Sequence, residues 1–142
     1  MTDAVPLTEE LLRTMRTAAR KAIELREPSI TPRAILLALL EDPQLGPLLA
    51  NEVDKEKLLA ADATDIFGTE ETLAFKTEDG RTSMWLSPDS YNIFTEGATR
   101  AEDRYYPKHL ALGLAAQAMT TPSILSSIQT DPAKLTNAIY KL

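Results

Sequence analysis

The sequence predicts an all-α protein in which one four-helix unit is used twice, the copies related by an approximate twofold. Three observations carry that prediction. Helix-start signals recur in the same order in both halves, each a capping residue followed by proline or acids. Two segments are apolar on every side, which suits helices buried by neighbours all round. Period-two alternation is confined to one short stretch between the halves.

The first half opens on Leu7-Thr8-Glu9-Glu10. Thr8 can accept a hydrogen bond from a first-turn N–H, the two acids suit the positive end of the helix dipole, and Leu7 and Leu12 have staple spacing. Leu11, Leu12, Met15, Ala18, Ala19, Ala22 and Ile23 then form one apolar stripe. Arg13, Arg16, Arg20, Lys21 and Glu24 lie opposite as a solvated face. Thr31-Pro32 starts the second helix, with the proline where its missing N–H costs nothing. "AILLALL" follows and is apolar all round. Pro43 and Pro47 bracket a short third element, and Asp54 caps a fourth, "KEKLLAA".

The second half replays this order. Leu86-Ser87-Pro88 begins its first helix, with Tyr91, Phe94, Gly97, Ala98 and Ala101 as the stripe. Tyr105-Tyr106-Pro107 opens the apolar run Leu110–Met119, Thr121-Pro122 caps "SILSSIQ", and Asp131-Pro132 caps the last helix. Leu7-Thr8 maps onto Leu86-Ser87 at an offset of 79, Pro32 onto Pro107 at 75, and Asp54 onto Asp131 at 77. The drop from 79 to 75 predicts a loop shortened by four residues between the first two helices of the second copy. Repeat one spans 7–58, a connector 59–85, and repeat two 86–142, together one domain. Each copy is too small to bury much surface alone, so the two must share a core.

In the connector, Glu78-Asp79-Gly80-Arg81 is a turn signal between alternating residues, which leaves two readings, a small β-hairpin or an acidic, irregular connector. Phe75 and Trp85 are its expected anchors in the core.

Charge and composition exclude several functions. Of the net charge of −6, the connector carries −4, with 2 basic residues against 6 acidic ones. No face offers the positive charge that a phosphate backbone needs, so nucleic-acid binding is not expected. No apolar run reaches the roughly 18 residues of a membrane span. The start has neither a basic region nor an apolar core, so no signal peptide and a cytoplasmic location are expected. With 0 cysteines and 1 histidine, no metal or cofactor site is expected, and none of the 5 glycines begins a phosphate loop. His109, near the third position of a buried helix, is read as a packing or capping residue, and no catalytic residue is assigned.

The cap pair, the small-residue stripe and above all "PKHLALGLA" in the second copy resemble the Clp N-terminal domain, the double repeat at the front of Clp-type unfoldases. His109, Leu110, Leu112, Gly113 and Leu114 lie on the pattern, whereas "TPRAILLALL" is looser, with Ala34 in place of the histidine. The resemblance implies a non-catalytic module that binds protein partners: an unfoldase, an adaptor or a degradation substrate. The connector and the loose first copy favour a stand-alone adaptor or regulator of ATP-dependent proteolysis over the front of a longer unfoldase. The alternative is a helical transcription-associated or small-ligand-binding regulator. In family members a glutamate before the histidine of each copy helps bind phosphorylated arginine; here those positions are Arg33 and Lys108. Cations there repel a guanidinium, so no phosphoarginine recognition is expected. Thr8 and Ser87, matching the cap positions near the phosphate, are retained in type. Thr8, Arg33, Ser87 and Lys108 are therefore the candidate binding residues. Arg33 and Lys108 are either solvated cations at helix starts or groups that favour an anion such as a carboxylate.

Overall fold

The computed structural model describes residues 6–61, 72–120 and 124–142. Four helices precede a hairpin: α1 (Glu9–Glu24), α2 (Pro32–Leu40), α3 (Leu45–Glu52) and α4 (Lys55–Ala60). The hairpin pairs β1 (Ala74–Lys76) with β2 (Ser83–Trp85), Phe75 standing opposite Met84. Four more follow: α5 (Pro88–Arg100), α6 (Pro107–Thr120), α7 (Ile124–Ser127) and α8 (Pro132–Tyr140). This is the expected duplicated all-α arrangement with a small hairpin between the copies.

The expected caps form. Side-chain oxygens of Thr8, Thr31, Asp54, Ser87 and Asp131 each accept a first-turn N–H, at Leu11, Ala34, Lys57, Ser90 and Ala133 respectively. The start of α3 is served instead by Asp42, whose carboxylate accepts from the N–H groups of Gln44 and Leu45. The Thr121-Pro122 cap lies outside the described residues.

The two halves are joined by exchanged backbone bonds. Leu7, just before α1, forms a parallel bridge with Tyr105, just before α6, and Ile30, just before α2, forms one with Leu86, just before α5. In the first, Thr8 N–H donates to the Tyr105 carbonyl at 3.2 Å and Tyr105 N–H to that of Pro6 at 2.9 Å. In the second, Ser87 N–H donates to the Ile30 carbonyl at 3.0 Å and Ile30 N–H to that of Trp85 at 2.8 Å. The approximate twofold converts one set into the other. Between them lie the buried faces of α1, α2, α5 and α6, in one core that includes Leu11, Met15, Leu36, Leu39, Ile93, Leu110 and Leu114.

Several sequence expectations are corrected by this packing. The four-residue difference is only partly a loop: α1 has 16 residues and α5 has 13, so three of the four are lost from the helix. Ile23 is 43% exposed, so the buried stripe of α1 ends at Ala22. Ile93, not Tyr91, completes the α5 stripe. Burial along α6 stops at Ala115, and Met119 is exposed. Of the two hairpin anchors only Phe75 enters the core, its ring tilted against that of Phe94 with centroids 5.7 Å apart. Trp85 faces outward on the strand's other side, and it is its backbone carbonyl that holds the hairpin, through Ile30. The basic face of α1 is not simply solvated either. Arg20 reaches Glu78 of the hairpin turn at 2.6 Å and Glu24 at 2.7 Å, and Lys21 reaches Glu41 at 2.6 Å.

Helices α5 and α6 cross with backbones in contact. A Cβ on Gly113 would lie 2.6 Å from the Gly97 nitrogen and the Ile93 carbonyl oxygen, and one on Gly97 would strike the Tyr105 hydroxyl. That hydroxyl donates to the Phe94 carbonyl at 2.6 Å, and burial pushes its ionisation well above the ordinary phenol range. Because the obstacles at Gly113 are backbone atoms, Gly113→Ala should destabilise the protein by about 1–3 kcal/mol in urea unfolding, despite alanine's better helix propensity. Thr8→Ala and Ser87→Ala should each cost about 1 kcal/mol through the lost cap. The two share no hydrogen-bond partner, so the double variant should lose close to the sum.

Candidate functional site

The exchanged bridges place the four candidate residues in two pairs. Thr8 is bonded to Tyr105, three residues before Lys108, so the starts of α1 and α6 lie side by side. Ser87 is bonded to Ile30, three residues before Arg33, so the starts of α5 and α2 do the same. Each pair of helix starts therefore combines one hydroxyl from one half with one cation from the other.

The hydroxyls are spent within the fold. Thr8 is buried; it accepts from Leu11 N–H and its Oγ1 donates to the Tyr105 carbonyl at 2.8 Å. Ser87 is 1% exposed and shares its Oγ with the Ser90 hydroxyl and N–H. Capping is the physical use of both groups in this structure.

The two cations differ sharply. Lys108, the second residue of α6, is exposed, and its Nζ stands 5.9 Å from the Tyr106 ring centroid. No ion pair to it exists among the described residues. It lies at the junction of two clefts. One, of about 560 Å³, runs between the α5–α6 loop, the first turn of α6 and the end of α8, with Arg104, Tyr106, Leu112 and Tyr140 on its walls. The other, of about 330 Å³, lies between the first turns of α1 and α6 and the α2–α3 loop, with Glu10, Arg13 and Asp42 on its walls. Tyr106, Lys108 and Leu142 line both. Tyr106, Tyr140 and Leu142 are exposed large hydrophobics, and tyrosine is among the residues that anchor protein interfaces.

Arg33, the second residue of α2, is turned inward. Its Nε lies 3.6 Å from Glu27, and the two side chains are 13% and 4% exposed. Its Nη1 donates to the Ala61 carbonyl at 2.5 Å and more weakly to that of Leu59 at 3.4 Å.

His109, the third residue of α6, caps that helix: Nδ1 accepts the Tyr106 N–H at 3.0 Å. An acceptor at the third position reaching back to the residue before the helix is one half of a capping box. The capping role was legible from the position of His109. Glu27 was not, since a single acid ahead of Pro28 carries no spacing signal. Among the described residues no group of three or more His, Asp and Glu could hold a metal ion. Nor is any helix among them long and apolar enough to cross a membrane.

No protein-family model and no curated protein sequence matches the chain. Among solved structures it is similar to the N-terminal domain of the caseinolytic-protease-associated chaperone ClpD from Arabidopsis thaliana. The TM-score is 0.64 at 20% identity, over 95% of this chain and 92% of that one. That likeness defines the fold, and the chain has the fold of a Clp N-terminal domain.

The pH response of the α6 cap follows from His109. Partial burial, then the neighbouring Lys108 charge, hold its pKa below the ordinary 6.5, while Glu102 opposes them. Below 6.5 the unfolded chain thus binds a proton more readily than the folded one, so stability is full above that pH and is lost as the pH falls through the lower folded value. Thermal melts should show a drop between pH 7.5 and 5.5 that is smaller in His109→Gln, which keeps an acceptor for the cap but does not titrate.

Proposed function

We propose that this protein is a non-catalytic protein-binding module that serves a Clp-type unfoldase in the cytoplasm, as an adaptor or regulator of ATP-dependent proteolysis. It docks a partner segment where the starts of α1 and α6 meet. The observation that carries the reading is Lys108: an exposed cation without an acid partner among the described residues, set between two clefts whose walls include exposed tyrosines and a leucine. A cation at a helix start, where the dipole is also positive, favours a carboxylate, and the exposed Tyr106, Tyr140 and Leu142 favour apolar side chains beside it. The preferred partner segment is a peptide with one acidic residue flanked by aliphatic ones. A polyacidic segment fits less well, since Glu10, Asp42, Glu102 and Asp103 rim the same clefts. Phosphoarginine fits less well still, because its guanidinium group would face a lysine.

The fold supports the reading, since the ClpD domain it resembles belongs to a chaperone associated with a protease. A transcription regulator, the alternative raised by the sequence, finds less support. Two of the four basic residues on α1, Arg20 and Lys21, are held by Glu24, Glu41 and Glu78 and are not free to meet phosphates.

The immobilised wild-type chain should retain a Clp unfoldase, a protease subunit or one of their adaptors from a lysate of its own organism, identified by mass spectrometry. Lys108→Glu should retain roughly tenfold less of that protein, the scale of one lost charged contact, with unchanged circular dichroism. Recovery of none of these components, or equal recovery by the variant, would contradict the reading.

A further inference from the structure

We propose that the two pairs of helix starts are not equivalent: the α1/α6 pair docks the partner, while at the α2/α5 pair Arg33 is a partly buried strap fastening the end of α4 to the start of α2. This rests on the docking role of Lys108 just given, but the strap stands on its own geometry.

The approximate twofold makes Arg33 and Lys108 counterparts, each the second residue of a helix begun by proline. In the second half the corner between that residue and the end of the last helix is open. Lys108, Ile139, Tyr140 and Leu142 line a cleft of about 560 Å³. In the first half the same corner is bridged, because Arg33 donates to the carbonyls of Leu59 and Ala61 at the end of α4.

Helix length explains why one half needs the bridge. α4 has six residues and α8 has nine. A helix of six residues is far too short to persist without tertiary contacts. Leu58 is its only buried side chain, and the two carbonyls bound by Arg33 give it a second attachment. Placing a partly buried cation at the start of α2 opposes the helix dipole. Glu27 answers both costs: its carboxylate sits beside Arg33, 4% exposed, and brings negative charge to the same helix start.

The strap uses its polar atoms incompletely. Both Glu27 carboxylate oxygens, Arg33 Nε and the Ser29 hydroxyl are buried without hydrogen-bond partners among the described residues. An outside ligand at Arg33 would compete with its bonds to the Leu59 and Ala61 carbonyls and would draw it from a buried acid, so this helix start is the less favourable docking place. A partner segment with a carboxylate therefore has one preferred place to dock, not two.

Two measurements on the full chain test this. Hydrogen exchange should be roughly tenfold faster at the amides of α4 in Arg33→Gln, with the amides of α6 unchanged. The double variant Glu27→Gln/Arg33→Gln, which removes both charges of the pair, should keep that faster α4 exchange even where the single variant folds poorly. In NMR titrations, the blocked tripeptide acetyl-Leu-Glu-Leu-amide should shift amides at residues 108–110 of the wild-type chain and none at 33–35. Unchanged α4 exchange in the double variant overturns the strap, and wild-type shifts at 33–35 overturn the single docking place. Absence of peptide shifts anywhere would sink the docking role of Lys108, while the exchange rates still decide the strap.

Discussion

The structure depends on how the extended segments leading into its helices satisfy their backbone. A residue ahead of a helix start has N–H and C=O groups that no helix will use, and buried groups of this kind must be paired. Here the segment leading into α1 is paired with the loop before α6, and the segment leading into α5 with the loop before α2. Neither half can meet this requirement from its own chain. Everything else is arranged around that exchange: the caps Thr8 and Ser87 lie on the bridges themselves, and the two helices begun by Pro32 and Pro107 run inward from them into the common core.

Much of the fold was legible because its signals are local. A threonine, serine or aspartate ahead of proline or acids defines a helix start wherever it occurs, and the caps at Thr8, Thr31, Asp54, Ser87 and Asp131 form as their residue types require. What escaped is what depends on partners distant in sequence. Nothing in the neighbourhood of Trp85 says that its ring faces out while its carbonyl meets Ile30. Tyr91 and Ile93 are both apolar and two positions apart, and each continues a helical stripe through Phe94, so the choice between them is made by tertiary packing. The pairing of Thr8 with the helix start that carries Lys108, and of Ser87 with the one that carries Arg33, is a property of the exchange and has no trace in either repeat alone. Equivalent positions announced two equal cations; their environments, one open and one closed by Glu27 and α4, are tertiary facts.

The halves also diverge in how tightly their first two helices meet. The second copy places Gly97 against Gly113, with no room for a methyl group, whereas the first copy has Ala18 and Ala38 at the matching places. The closer crossing coincides with a bulky neighbour: Tyr105 fills the space beside Gly97 and stacks at 5.0 Å on Phe94, which in turn meets Phe75 of the hairpin. Its counterpart Ile30 is smaller and makes no such aromatic row. Repetition of the helix order has thus tolerated different solutions at each crossing.

The bond from the Thr8 hydroxyl to the Tyr105 carbonyl joins residues 97 positions apart. Such a contact closes a long loop, whose entropic cost only the completed core offsets. Its geometry is also indifferent to covalent continuity, since the donor is in one copy and the acceptor in the other. Two separate chains, each with a single copy, would find the same unpaired groups and the same acceptors in one another, in the manner of an isologous dimer. The double repeat is in this sense a dimer whose association has been made intramolecular, and its connector converts a concentration-dependent encounter into a fixed effective concentration.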